Sequence, residues 1–407
     1  MNLELFLFAF TMIFSFHIYG IDLKILIYAF WIIKISMKKI NNRKISVNLY
    51  EYKLINLIMI IISYIMFITL INQHNEISMS LRYFRAIVSF VIIILFFQDK
   101  EYKPKVVINT IEIILLIHSI SVIIGIIFPD FKNYIVFISN YEKKFLEARS
   151  TGLVSGYDFA GLLCNLGLIL SFLIRVINKK KIVTIKTVIF ILAAIFTSRY
   201  SMVITILILI IVFLYEIFKL NIREIIRIGK YVIPLCLLIF IFLVLTTELN
   251  LNLRETLFNQ IPGLKTLYNE IIYSYADYSG RSTVSNHYYI DPNINFIFGE
   301  GYIPQNVDPG YIRNLYFMGI FGLALQSLFY LSIFLYVNKI RKINKNKDIK
   351  IIALFIMFMI IALFVMEFKL TFIFSSITFE LMIMLLVYLL RYKEFTSTIK
   401  GEILKYE

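Results

Sequence analysis

The sequence of 407 residues contains only two cysteines, Cys164 and Cys236, and both lie inside apolar stretches. Because neither belongs to a CxxC pair or a Cys/His cluster, we expect neither disulfide bonds nor a metal site. Motifs that bind nucleotides are also missing, since there is no P-loop, no GxGxxG and no DxD triplet. The sequence therefore predicts a protein that works without a metal, a nucleotide or another cofactor.

Charged residues are scarce, at 16% of the chain, whereas hydrophobic residues make up 60%. Soluble domains are usually about half apolar. Apolar runs of about twenty residues recur along the whole length, and each can cross roughly 30 Å of hydrocarbon. Short segments of alternating hydrophobicity, typical of a β-barrel, are missing, and a spanning helix satisfies its own backbone. The expected fold class is therefore an all-α polytopic integral membrane protein.

The apolar runs predict about twelve transmembrane helices in a single transmembrane domain, 1–407. The predicted spans are 3–20, 23–37, 54–72, 82–98, 106–128, 153–174, 182–197, 200–218, 231–246, 314–337, 351–366 and 371–390. No A-x-A-like cleavage site follows the first run, so we expect no cleavable signal peptide.

The net charge of +15 would suggest nucleic-acid binding in a soluble protein. Here the basic residues cluster in short loops between apolar runs. If both termini are cytoplasmic, the inside segments hold about twice as many lysines and arginines as the outside segments. This asymmetry predicts an even number of spans, two cytoplasmic termini and no nucleic-acid partner.

Two external segments are long enough to hold structure of their own. The segment 129–152 is predicted as a medium loop, and 247–313 as a long loop between the ninth and tenth spans. Apolar residues at helical spacing in 253–271 predict an interfacial helix interrupted near Pro262. The second half of the long loop is rich in Gly, Pro, Asn, Asp and Tyr, which indicates ordered loop structure.

Arginine is concentrated on the face that is predicted to be external, although lysine would serve the topology equally well. The planar guanidinium group binds phosphate or carboxylate through two parallel hydrogen bonds. Interfacial snorkelling and pairing with protein carboxylates are the alternative explanation. The external arginines are Arg82, Arg85, Arg149, Arg199, Arg254, Arg281 and Arg313.

The positions of some of these side chains suggest specific contacts. Arg82 and Arg85 are three residues apart on one helix, so both project from one face. Arg199 lies in the short turn 197–201, almost at bilayer depth, where an unpaired charge is costly. Its anionic partner could be a substrate or Asp158, which lies near the outer end of the sixth span and could equally pair with Arg149.

Several short motifs occur in a fixed order on the predicted external side. They are Arg149-Ser150-Thr151-Gly152, Thr197-Ser198-Arg199, Ser279-Gly280-Arg281, Phe298-Gly299-Glu300-Gly301, Asp308-Pro309-Gly310-Tyr311 and Gly319-Ile320-Phe321-Gly322. Together they resemble the bacterial O-antigen polymerases, within the O-antigen polymerase and ligase superfamily. The matches lie mostly in 149–161, 197–201 and 279–322, while the likeness in architecture covers the whole chain.

The resemblance implies a glycosyltransferase of the bacterial plasma (inner) membrane that makes O-antigen or capsular polysaccharide. It would join polyprenyl-pyrophosphate-linked oligosaccharide units at the external face, with membrane lipid, a flippase and a chain-length regulator of the pathway as partners. Asp308 or His287 would then be the catalytic base, with the choice open. The residues expected to bind pyrophosphate are Arg149, Arg199, Arg281, Arg313, Arg82 and Arg85, and the first three are expected to converge on it. Asp158 would orient them or the substrate.

Two departures from the family pattern bear on the choice of activity. Arg149 is followed by Gly161, one position later than in the Arg-x10-Gly motif of some polymerases. Asp308 stands where the ligase branch tends to show a His-Asn pair, which favours a polymerase. The alternatives are a glycan ligase of the same superfamily and, in a different class, a lipid-linked oligosaccharide flippase or transporter. The long external loop and the lack of an internal repeat argue against a flippase or transporter.

Overall fold

A computed structural model describes residues 2–14, 17–18, 21–39, 47–72, 77–98, 100–139, 149–180, 184–218, 290–291, 294–304, 307 and 309–392. The helices are α1 (Leu3–Ile13), α2 (Leu23–Lys39), α3 (Leu49–Ile71), α4 (Ile77–Phe97), α5 (Pro104–Ile127), α6 (Pro129–Ser139), α7 (Tyr157–Ile177), α8 (Ile185–Ile195), α9 (Arg199–Phe218), α10 (Gly310–Ile343), α11 (Lys347–Met366) and α12 (Ser376–Arg391). Two strands, β1 (His17–Ile18) and β2 (Ile21–Asp22), pair with each other.

Six helices of the described part are long and apolar enough to cross a membrane: α3, the segment Ser80–Phe97 of α4, α5, α7, α10 and α11. The prediction of a helical, multi-pass membrane protein is thereby confirmed. The total of twelve spans and the cytoplasmic termini stay predictions. The interfacial helix expected in 253–271 lies outside the described residues.

The predicted medium loop 129–152 contains a helix, α6, in its first half. Pro129 occupies the first helical position, where its missing N–H costs nothing, and Asp130 follows in the first turn. The first apolar run also differs from the prediction. Its helix ends at Ile13, and the strand pair occupies the part of the chain before α2.

The chain divides into two compact units, and the first comprises Met1–Ser15, Asp22–Ile111 and Ser282–Glu407. In this unit α4 packs against α2, α3 and α12, and α10 packs against α3 and α11. At one end, Arg391 donates from Nε and Nη2 to both carboxylate oxygens of Glu51, at 2.7 Å each. At the other end, Asn314 at the start of α10 bonds Glu367, which follows α11. These contacts set neighbouring helices antiparallel.

A buried ion pair joins three helices of the first unit. The Nζ atom of Lys24 in α2 lies 2.6 Å from Oε2 of Glu380 in α12, and each side chain is 1% exposed. The other carboxylate oxygen, Oε1, accepts hydrogen bonds from Tyr28 Oη at 2.6 Å and from Ser89 Oγ at 2.9 Å. Since Ser89 belongs to α4, the carboxylate of Glu380 ties α2 and α4 to α12.

The second unit comprises Phe16–Ile21 and Glu112–Arg281. Its described helices pack through small residues, which let the backbones approach closely. A Cβ atom added to Gly167 of α7 would lie 2.2 Å from the ring of Phe190 in α8. Beside this contact, Glu112 of α5 accepts a 2.5 Å hydrogen bond from Nζ of Lys186 in α8. In the described part of the second unit, close helix packing and the ion pair between Glu112 and Lys186 hold the helices together.

Helix α10 is broken at Gly319, whose backbone has φ 61° and ψ −172°. The break divides it into a first half, 310–318, and a second half, 320–343. The segment 294–301, which we call the FGEG loop after its last four residues, completes the backbone hydrogen bonds at the break. The bonds are Glu300 N–H to Tyr316 O at 2.6 Å, Gly301 N–H to Phe317 O at 3.0 Å, Ile320 N–H to Phe296 O at 2.8 Å, and Phe321 N–H to Ile297 O at 3.1 Å.

Replacing Gly319 with alanine should destabilise the protein by at least about 2 kcal/mol, because this backbone conformation is nearly exclusive to glycine. A Cβ atom would also lie 2.3 Å from the carbonyl oxygen of Ile297. The free energy of unfolding in detergent measures the loss. Ser327→Ala, at an exposed position of the same helix, is the control and should change it by less than about 0.5 kcal/mol. Equal stability of both variants would contradict the glycine requirement.

Candidate anion-binding site

Three of the predicted arginines come together in the first unit. Arg82 and Arg85 lie near the start of α4, Arg313 lies in the first turn of α10, and all three side chains are half-buried. The charges of Arg85, Arg313 and Glu367 all act on Arg82. We call Arg82, Arg85 and Arg313 the arginine cluster. Three like charges at close range disfavour one another unless a counter-charge is present.

The carboxylate of Glu367 is already engaged with the protein around it. Its Oε2 atom accepts from the backbone N–H groups of Phe372 at 2.7 Å and Ile373 at 2.9 Å. Its Oε1 atom accepts from Nδ2 of Asn314 at 2.8 Å. The side chain is 0% exposed. Glu367 therefore fixes the turn after α11 and supplies at most one negative charge against three positive ones.

Several polar atoms of the first unit are buried and have no hydrogen-bond partner within the described residues. Two of them are donors in the cluster, Nη1 of Arg82 and Nε of Arg313. Three more can accept, namely Oδ1 of Asn314, Oε1 of Gln326 and Oγ1 of Thr371. Leaving a buried donor without a hydrogen bond costs about 1–3 kcal/mol of stability, and more if the donor is charged. The two unpartnered guanidinium nitrogens therefore suit the cluster to an anionic ligand.

The region beside the cluster is rigid. Tyr83, the neighbour of Arg82, is fully buried and is hydrogen-bonded to Nε2 of Gln326 in α10. The hydroxyl group of Tyr330, also in α10, accepts from the backbone N–H of Phe374 at 3.1 Å. These side chains link α4, α10 and the turn before α12, so they fix the backbone on which the arginine cluster is built.

The affinity of the cluster for an anion should depend on pH through Glu367. Burial raises the pKa of this carboxyl group to about 7, although its backbone hydrogen bonds and Arg82 act in the opposite direction. As the pH falls from about 8 to about 6, protonation removes the negative charge beside Arg82. Binding of a polyprenyl pyrophosphate diester, which stays fully ionised in this range, should tighten by roughly tenfold, the effect of one pKa unit of coupling.

Equilibrium binding of a short-chain fluorescent diester in detergent, measured across this pH range, tests the prediction. The control is Glu367→Gln, which keeps an acceptor for the backbone N–H groups but cannot titrate. Its affinity should be independent of pH and close to that of the wild type at low pH. A wild-type affinity that is flat, or that weakens as the pH falls, would show that Glu367 does not control the site.

Arg149 lies in the second unit, at the start of the turn that leads into α7. Its guanidinium carbon lies 5.0 Å from the ring centroid of Tyr157, a cation–π arrangement. The turn is held by His118 of α5, which is fully buried. The Nδ1 atom of His118 accepts from the backbone N–H of Leu153 at 3.3 Å, so its proton is on Nε2, which donates to Ala160 O at 3.2 Å.

Arg199 is the first residue of α9, and its side chain lies outside the described residues. The first turns of α9 are hydrogen-bonded to α7. Nδ2 of Asn165 in α7 donates to the backbone oxygen and the hydroxyl group of Ser201, at 3.1 and 3.0 Å. Oγ1 of Thr205 donates to Oδ1 of Asn165 at 2.8 Å. Asn165 thus fixes the start of α9 and the backbone of Arg199.

Other sequence predictions are corrected or left open. Asp158 is buried in the first turn of α7, at 5% exposure, but within the described residues it forms no salt bridge with Arg149. The ring of Tyr157 lies against that guanidinium group instead. Arg281, His287 and Asp308 lie outside the described residues. The expected convergence of Arg149, Arg199 and Arg281 on pyrophosphate, and the choice of base, stay predictions.

Sequence reasoning missed the residues that complete the arginine cluster. Glu367, Asn314 and Thr371 were assigned no role, and Gln326 was treated as part of a span. One signal was available, because Glu367 is a carboxylate in the four-residue turn 367–370 between two predicted spans. A charged residue in so short a turn lies near bilayer depth and needs partners.

Comparisons with protein-family models, curated proteins and solved structures found no match to this chain.

Proposed function

We propose that the protein is a membrane glycosyltransferase that polymerises polyprenyl-pyrophosphate-linked oligosaccharide units at the external face of a bacterial plasma membrane. The observation that carries the proposal is the arginine cluster with its unpartnered guanidinium nitrogens, Arg82 Nη1 and Arg313 Nε. A site with excess positive charge, set at one end of membrane-spanning helices, suits a lipid-linked pyrophosphate. The resemblance of the short motifs to O-antigen polymerases points to the same substrate class.

For this glycosyl transfer, the main tasks of the protein are to position the two substrates and to stabilise the charge on the leaving group. The donor carries its own leaving group, so no nucleotide or cofactor is required. As the bond between the sugar and the pyrophosphate breaks, negative charge grows on the departing phosphate. Donors held in place beforehand stabilise that charge without reorganising, and removing one such donor typically costs about 10²–10³ in rate. The arginine cluster would perform this step.

The acceptor sugar must lose a proton as its hydroxyl group attacks the donor. A general base usually contributes about 10²–10⁴ in rate. Asp308 and His287 are the candidates from the sequence, and Asp308 directly precedes Pro309 at the start of α10. The arginines of the second unit, Arg149 and Arg199, would bind the phosphates of a second lipid-linked unit. A flippase and a chain-length regulator are the partners that this role would require.

A reconstituted assay tests the proposal. Purified protein in liposomes receives lipid-linked repeat units extracted from cells that express it. A ladder of longer lipid-linked glycans is expected. Transfer of one unit to a different acceptor without a ladder would identify a ligase, and movement of unchanged units across the bilayer would identify a flippase. Either of these results would overturn the polymerase assignment.

A further inference from the structure

The FGEG loop forms backbone hydrogen bonds with α3, with α10 and within itself. Besides the four bonds at the break in α10, the carbonyl of Phe298 accepts from Tyr64 Oη at 3.0 Å, and that of Gly299 accepts from Nδ2 of Asn72 at 3.4 Å. The N–H groups of Phe298 and Gly299 donate to Asn295. At membrane depth, non-helical backbone is tolerated only where it packs against protein rather than lipid, and this backbone is bonded to α3 and α10.

The side chains at the tip of this loop are apolar and exposed. Phe296, Ile297 and Phe298 are consecutive and have exposed fractions of 39%, 60% and 51%. Across the break, Ile320 and Phe321 are 58% and 48% exposed. Contiguous exposed apolar residues of this kind mark an interaction surface rather than a water-facing loop. We call these five residues the apolar tip.

The apolar tip is continuous with the exposed side of a membrane-spanning helix. The ring of Tyr64 in α3 contacts that of Phe321, at 5.0 Å between centroids. The next turns of α3 expose Phe67 and Leu70, at 61% and 75%. Only 33% of the spanning window is buried in α3 and in α10. These helices therefore present broad apolar faces to lipid at the level of the tip.

From these observations we propose that the FGEG loop is inserted in the bilayer, with the apolar tip embedded among lipid acyl chains. Its tip side chains contact lipid, while its backbone is hydrogen-bonded to α3 and α10. The inserted loop fixes the depth of the break in α10, and with it the depth of the arginine cluster. This inference stands independently of the proposed glycan chemistry.

The test places a polarity-sensitive fluorophore on Ile297→Cys in the full chain, with Cys164 and Cys236 replaced by serine. The protein is reconstituted in phosphatidylcholine–phosphatidylglycerol vesicles with or without bromine on the acyl chains. Bromolipid should abolish most of the emission, while aqueous iodide should have little effect. The control is Glu101→Cys in the exposed segment between α4 and α5, which should respond to iodide and not to bromolipid.

A label at Ile297→Cys that iodide quenches as strongly as the control would overturn the proposal. Should labelling disturb the loop, Phe298→Trp in a Trp31→Phe background gives the same information from intrinsic fluorescence. Blue-shifted emission that bromolipid quenches supports insertion. Emission typical of tryptophan in water contradicts it.

Discussion

Arg82→Ala and Arg313→Ala should each slow polymerisation by about 10²–10³-fold, with folded protein retained in the membrane. Each substitution removes one guanidinium group from the arginine cluster. Two positive charges then remain beside the single negative charge of Glu367. Lysine at either position should recover only part of the rate, because an ammonium group cannot form two parallel hydrogen bonds to phosphate. Initial rates of ladder formation in liposomes, at matched protein content, measure the effect.

Arg341→Ala is the matched control, since Arg341 lies in the last turn of the same helix, α10, at the opposite end from Arg313. Its rate should stay close to that of the wild type. Binding of the labelled pyrophosphate diester to each variant separates weak binding from slow chemistry. If Arg82→Ala and Arg313→Ala form ladders at the wild-type rate, the arginine cluster is not the site of pyrophosphate binding.

Removing one partner of the buried pair between Lys24 and Glu380 should destabilise the protein by about 3–5 kcal/mol. In Glu380→Gln, the ammonium group of Lys24 stays buried without its counter-charge, and Tyr28 and Ser89 lose a charged acceptor. In Lys24→Met, the carboxylate is left with neutral partners alone. Combining Lys24→Met with Glu380→Gln should restore much of the loss, because no uncompensated charge remains. Unfolding in detergent gives the free energies for this double-mutant cycle.

The exposed ion pair between Lys34 and Glu4 provides the comparison. Its side chains are 36% and 33% exposed, with Nζ and Oε1 separated by 3.3 Å. Lys34→Met should change the free energy of unfolding by less than about 1 kcal/mol, since water already solvates both groups. Additive losses in the Lys24 and Glu380 double variant would show that the two charges do not depend on each other.

Most of the described helices follow from hydrophobicity alone. The runs predicted at 54–72, 106–128 and 351–366 correspond to α3, α5 and α11 within a few residues. Each of these helices begins a few residues before its predicted span, and in α3 and α11 a polar cap lies beyond the apolar run. Asn48 and Glu51 form a capping box at the start of α3, and Asn346 caps α11.

The hydrophobicity of the sequence does not predict the break in α10. The predicted span 314–337 is apolar on both sides of Gly319, so its hydrophobicity gives no sign of an interruption. The break is stable because the FGEG loop, about twenty residues earlier in the chain, supplies the missing hydrogen bonds. The motifs 298–301 and 319–322 are separate in the sequence. Their contact is tertiary, so the secondary-structure preferences of each segment do not predict it.

The candidate site was predicted in part. An excess of arginine on the face predicted to be external singles out Arg82, Arg85 and Arg313, and the structure brings these three together. Of the two partners predicted for Asp158, Arg149 forms no salt bridge with it in the described residues, and pairing with Arg199 stays a prediction. Which polar groups share a site depends on how helices of one unit turn toward each other, as Glu367 and Asn314 show.

The buried ion pair has a consequence for biosynthesis, because its partners are made far apart in time. Tyr28 and Glu380, which share a hydrogen bond, are 352 residues apart. At about 5–20 residues per second, roughly 20–70 s pass between their synthesis. Lys24, the second residue of α2, can meanwhile keep its ammonium group in the headgroup region. Because its carboxylate partner lies in α12, the buried ion pair of the first unit can form only after α12 has been synthesised.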